Sequence, residues 1–217
     1  MTSMNEITRD TLYATEQRRA VERQVTVLIN AGIAQHGRDG LCRIRNISPS
    51  GMNIETGIAL ETGKAVTIEL RSGRRLEGEV RWVKEHLSGL HFPEENVGEV
   101  LNDRVSGDVV ARVGAHPRFT RSGFAICKIN HRRQNCTIIS ISLADVTLGG
   151  LHDLKPDTVL TVEISGLGEQ LAKVGRQDED ETRVMFVQPL NYRALEAWLV
   201  DPSHRTANQV AAPDFDI

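Results

Sequence analysis

Aromatic side chains are scarce in this sequence, 4% of 217 residues, and basic residues do not outnumber acidic ones: 26 Lys and Arg stand against 29 Asp and Glu, a formal charge of -3. Single-stranded nucleic acid is held by a basic groove with stacking aromatics, so the composition points away from nucleic acid. A whole-molecule field of this sign does not attract anionic lipid either, and any polyanion site must be a local cluster. Cysteine is nearly absent. Cys42, Cys127 and Cys136 are odd in number and lack CxxC spacing, which excludes a disulfide framework and a zinc ribbon and leaves buried free thiols as the expectation. No run of about 18 apolar residues occurs. The opening MTSMNEITRD carries acids without an apolar core, so neither a membrane span nor a secretory signal is expected, and the expected location is cytoplasmic. The seven histidines form no HExxH and neighbour no GxSxG. With no acid–base pair, metal set or activated nucleophile to assemble, the expectation is a binding protein, not an enzyme, with neither metal nor cofactor.

What is present is a series of short alternating or β-branched runs: VTVLI from Val25, LCRIRNI from Leu41, AVTIELRSG from Ala65, RLEGEVRWV from Arg75, FAICKI from Phe124, TVLTVEI from Thr158 and TRVMFV from Thr182. This spacing predicts an all-β chain of antiparallel barrels, with tight turns at Arg71 to Arg74 and at Ser165–Gly166. Helical periodicity is confined to Ile7 to Glu22, Asn96 to Arg104, and Asn191 to Leu199, the last with Tyr192, Leu195 and Leu199 on one face. The polar stretch from Asp201 to Ile217, with Pro202 and Pro213, is expected to be disordered. The halves also repeat. GKAVTIEL from Gly63 matches DTVLTVEI from Asp157, EGEVRW ending at Trp82 matches LAKVGR ending at Arg176, and SGLHF ending at Phe92 matches TRVMF ending at Phe186. NISPSGMNI from Asn46 is set against DVTLGGLHD from Asp145. Two tandem barrels joined between Asn96 and Phe119 follow.

Two short motifs carry chemistry. Arg19 and Arg23, four apart with Arg18 adjoining, precede the first strand; each guanidinium is a planar fork able to bind a phosphate or the O6/N7 edge of guanine through two hydrogen bonds. On its own such a pair also describes a solvated helix face, and Arg71 with Arg75 repeats the spacing. Asn46-Ile-Ser48-Pro-Ser-Gly51 follows at a strand end. Asn46 and Ser48 share one side of an extended strand and offer amide and hydroxyl groups, while Gly51 is expected to let the backbone turn and a flat ligand approach. A plain polar turn uses the same residue types.

Jointly, Arg19-Ala-Val-Glu-Arg23 and Asn46-Ile-Ser48-Pro-Ser-Gly51, followed by Val80-Arg81-Trp82 and Gly89-Leu-His-Phe92, resemble a PilZ domain over about Gln17 to Glu95, whose motif pair is RxxxR plus [D/N]xSxxG. The resemblance implies a six-stranded antiparallel barrel that binds cyclic di-GMP, with Arg18, Arg19, Arg23, Asn46, Ser48 and Gly51 as ligand-binding residues. Residues 1–104 would be the domain with intact motifs. Residues 105–217 resemble a degenerate second copy: Asp145-Val-Thr147-Leu-Gly-Gly150 keeps a turn motif, and the arginine pair is missing. The expected function is a cyclic di-GMP receptor that turns binding into a conformational or partner-binding signal, with a protein partner or a homodimer contact through the second domain and neither nucleic acid nor membrane. The alternatives are a ligand-independent adaptor and an arginine-rich barrel that binds nucleic acid.

Overall fold

A computed structural model describes residues 25–93, 97, 116–130 and 132–204. The expected helices at Ile7 to Glu22 and Asn96 to Arg104 lie outside these residues, apart from buried Val97. The first barrel is built from β1 (Val25–Gln35), β2 (Arg38–Ser48), β3 (Gly51–Thr56), β4 (Ala65–Glu69), β5 (Arg75–Lys84) and β6 (Leu87–His91), hydrogen-bonded in the closed circular order β1-β2-β3-β6-β5-β4. The second comprises β7 (Phe119–Ile129), β8 (Arg132–Ile141), β9 (Asp145–Gly149), β10 (Val159–Ile164), β11 (Gly168–Gln177) and β12 (Glu181–Phe186), in the order β7-β8-β9-β12-β11-β10. Helix α1 (Tyr192–Val200) follows. The all-β expectation of two six-stranded barrels is met. The alternating strands bury one residue in two, as Val66 and Ile68 of β4 do, and each barrel closes over its own apolar core. Gly73 and Gly166 take φ of +84 in the two expected turns.

The barrels are register-for-register copies. Nearly every pairing of the first recurs 94 positions later in the second: Thr26–Asn46 becomes Thr120–Ser140, Gly32–Glu69 becomes Ile126–Glu163, and Ala65–Glu79 becomes Val159–Lys173, the exceptions being Cys42–Thr56, Ser48–Gly51, Trp82–Gly89 and Lys84–Leu87 at strand ends and a bulge. The displacement agrees with three of the four repeat segments and corrects the fourth. Asp145–Gly149 is a strand, and Gly51, opposite His91, corresponds to Asp145, opposite Met185. The counterpart of Asn46-Ile-Ser48-Pro-Ser-Gly51 is therefore Ser140-Ile-Ser142-Leu-Ala-Asp145. Shared glycines favour the other frame, and the hydrogen-bond register, in step with the spacing of the other three segments, decides between them.

The barrels meet along a polar seam. Arg121, 1% exposed, donates from Nη2 to the Asp39 carbonyl at 2.8 Å and spans the Asp39 carboxylate at 3.1 and 3.3 Å. On α1, Glu196 accepts from the Gly57 amide at 2.9 Å, Tyr192 donates to the Glu55 carbonyl at 3.3 Å, and Arg193 pairs with the Glu55 carboxylate. Burial and the nearby Glu196 carboxylate push the Tyr192 phenol up. Leu41 of the first barrel joins the second barrel's core cluster. Asn191 caps α1 by accepting from Ala194 N at 3.2 Å. The expected disorder from Asp201 onward is corrected at its start: Pro202–His204 forms a 3-10 turn, and His204 stacks on Trp198 at 4.0 Å.

Candidate functional site

The sequence-predicted residues Asn46, Ser48 and Gly51 come together on the outer wall of the first barrel, at an open cavity of about 210 Å³. Two cross-strand rows build that wall. One runs Asn46–Asn53–Gly89–Trp82 and the other Ser48–Gly51–His91–Glu79, across β2, β3, β6 and β5. The row between them, Ile47–Met52–Leu90–Val80, points into the core and is buried. Polar groups are thus set at two-residue spacing on a wall anchored from behind by apolar packing.

Two glycines shape the surface. Gly51 serves close approach and not a positive φ: a Cβ there would lie 2.5 Å from the Leu90 carbonyl oxygen. Its expected role in turning the backbone is corrected accordingly. A Cβ at Gly89 would lie 2.0 Å from Trp82 Nε1, so the indole rests flat on the glycine. Ser48 Oγ donates to the Gly51 carbonyl at 3.3 Å. Asn46 lines the cavity and makes no side-chain hydrogen bond with a described residue. Arg81 adds a cation at the rim, paired with Glu79 at 2.9 Å, and the 42%-exposed Trp82 adds an aromatic face.

Arg18, Arg19 and Arg23 lie outside the described residues. The first described residue, Val25, pairs with Ile47, so β1 starts beside the Asn46–Ser48 end of β2. Val80-Arg81-Trp82 and Gly89-Leu-His-Phe92 stand out in the sequence, but nothing in it marks Asn53, Arg81, Trp82, Gly89 and His91 as lining of the cavity. Their alternation was legible; the register that sets them beside Asn46 depends on strand pairing. Among the described residues no group of three or more His, Cys, Asp or Glu could hold a metal ion, and no helix is long and apolar enough to cross a membrane. The three thiols are free and buried, with Cys127 and Cys136 sulfurs 3.6 Å apart.

Residues 17–105 match the family model described as PilZ domain. Among solved structures, the PlzA protein of Borreliella burgdorferi, in complex with c-di-GMP, is 12% identical with a TM-score of 0.38, over 88% of this chain and 98% of that one. The Bacillus subtilis inhibitor of motility MotI/DgrA is 10% identical with a TM-score of 0.34, over 81% and 96%. Escherichia coli YcgR in complex with c-di-GMP is 13% identical with a TM-score of 0.31, over 79% and 82%. No curated protein matches the sequence.

Proposed function

We propose that residues 17–105, which match the PilZ domain family model, bind cyclic di-GMP, and that the chain is a receptor that acts by binding, not by catalysis. The observation that carries this reading is the convergence of Asn46, Ser48 and Gly51 on one outer-wall cavity, at the edge where β1 starts. Arg23 is two residues upstream of Val25, a covalent tether of about 7 Å at most. Cyclic di-GMP carries two phosphates and two guanines, so it calls for bidentate cations, base-edge hydrogen bonds and flat faces. In this reading Arg19 and Arg23 clasp phosphates and guanine edges, Arg18 stacks, Asn46 and Ser48 bond a guanine, and Trp82 offers a face. Asn46, a neutral amide where the family more often has Asp, accepts guanine N–H bonds less strongly. The signal then passes to the second barrel or to a protein partner. Supporting the second barrel as a contact surface, it exposes Val159, Leu171, Met185 and Val187 where the first has Ala65, Glu77, His91 and Pro93.

Calorimetry of the full chain with cyclic di-GMP, and with GTP as control, tests the reading. Expected is micromolar or tighter affinity for the first and no heat with the second. Replacing Arg19 or Arg23 by Ala removes a charge-assisted bidentate contact of about 1.5–3 kcal/mol, roughly a 10- to 150-fold loss. Arg71→Ala should leave affinity unchanged. Loss with Arg71→Ala but not with Arg23→Ala would overturn the motif assignment.

A further inference from the structure

On the wall of the second barrel that corresponds to the cavity, both glycines are gone. By register, Gly51 becomes Asp145 and Gly89 becomes Arg183, while Asn46 and Ser48 become Ser140 and Ser142. The two new side chains pair with each other: Arg183 Nε donates to Asp145 Oδ2 at 2.7 Å. A second guanidinium arrives from the chain entering β7. Arg118, 94 positions after the neighbour of Arg23, pairs with the other carboxylate oxygen and also donates to Ser140 Oγ at 2.9 Å and Thr147 Oγ1 at 3.0 Å. Ser142 Oγ completes the cluster at 2.7 Å from Asp145 Oδ1. The Asp145 side chain is 4% exposed.

We propose that this cluster is the first barrel's site filled from within. The Asp145 carboxylate stands where a bound anion would, gripped by one guanidinium from the entering segment and one from the wall. The hydroxyls of Ser140, Ser142 and Thr147 are engaged in the cluster and are not left to read a base. An incoming dianion would have to sit beside a buried like charge or expel it from two cations. The second barrel therefore takes no cyclic dinucleotide, and its entering segment is held shut without ligand. Because Arg118 lies three residues before Arg121, the same grip steadies the residue that pins the seam at Asp39. Only the identity of the excluded ligand rests on the function proposed above.

Two experiments on the full chain test this. First, amide NMR follows cyclic di-GMP added to the wild type and to Arg23→Ala. Resonances of Ser140, Ser142, Asp145, Thr147 and Arg183 are expected to stay in place in both, with one equivalent bound by the wild type. Shifts there in Arg23→Ala would overturn the inference. Second, ligand-free hydrogen exchange compares the wild type with Asp145→Asn and with Arg118→Gln. The Arg118 side chain is 31% exposed and its loss leaves Arg183 paired with Asp145, so this variant folds even where the first does not. Exchange across Arg118 to Phe124 is expected to quicken about tenfold or more; unchanged exchange in Arg118→Gln would overturn the inference. Should the wild type bind no nucleotide, the receptor reading falls, and the exchange experiment alone decides whether the second site is filled.

Discussion

Gly51 and Gly89 line one cavity, yet a methyl group meets backbone at the first and a side chain at the second. At Gly51 the clash is with the Leu90 carbonyl oxygen, 2.5 Å away, which can yield only if β3 and β6 separate. Gly51→Ala should cost about 1–3 kcal/mol in urea denaturation. At Gly89 the obstacle is the partly exposed Trp82 indole, which can swing outward. Gly89→Ala should cost less than about 1 kcal/mol while shifting Trp82 fluorescence and weakening ligand binding. His116 gives a pH dependence. Burial and the Arg71 guanidinium hold its imidazole below the ordinary 6.5, while Asp145 opposes them. The native state thus binds this proton less well than the unfolded chain does. Its stabilisation is complete above the unfolded value and fades as pH falls through 6.5 toward the lower native value. Melting temperature should therefore decline from about pH 7.5 to about pH 5.5, and His116→Gln should flatten that slope.

Among the elements, α1 joins the barrels through a few polar contacts. Asn191→Ala removes its cap and should lower stability by about 1 kcal/mol in thermal or urea unfolding. Glu196→Ala should speed hydrogen exchange at Gly57 and Ile58, because the Gly57 amide donates to that carboxylate at 2.9 Å. Helix, strands and turns were legible in sequence because each is written in local period: Tyr192, Leu195 and Leu199 on one face, Val66 and Ile68 on another. The alignment of the motif with its counterpart was not. Asp145-Val-Thr147-Leu-Gly-Gly150 looks more like Asn46-Ile-Ser48-Pro-Ser-Gly51 than Ser140-Ile-Ser142-Leu-Ala-Asp145 does, since a glycine replaced by an aspartate leaves no trace of shared backbone geometry. The same blindness hid Arg183, whose partner is distant in sequence and adjacent only through the pairing of β9 with β12. Trp82 stood in plain view, but its lining role follows from Gly89 on the neighbouring strand.

At the scale of the molecule, stability and arrangement depend on the seam. Arg121 is wholly buried against Asp39, so Asp39→Ala leaves a guanidinium with less than its full set of acceptors. Because Asp39 itself is partly exposed, the loss should be about 1–3 kcal/mol and not the larger figure of a deeply buried pair. Calorimetric melting should then separate into two transitions, one per barrel, where the intact chain is expected to unfold in one. The constant displacement between the halves has a practical side. From β1 to β6 and from β7 to β12 the copies differ by replacement alone, with no residue inserted or deleted. Any stretch of one barrel can accordingly be transplanted into the other without re-closing a loop. Chimeras exchanging β2 through β3 for β8 through β9 would keep every hydrogen-bonded neighbour in step, making the chain its own donor library for moving a ligand site from one barrel to the next.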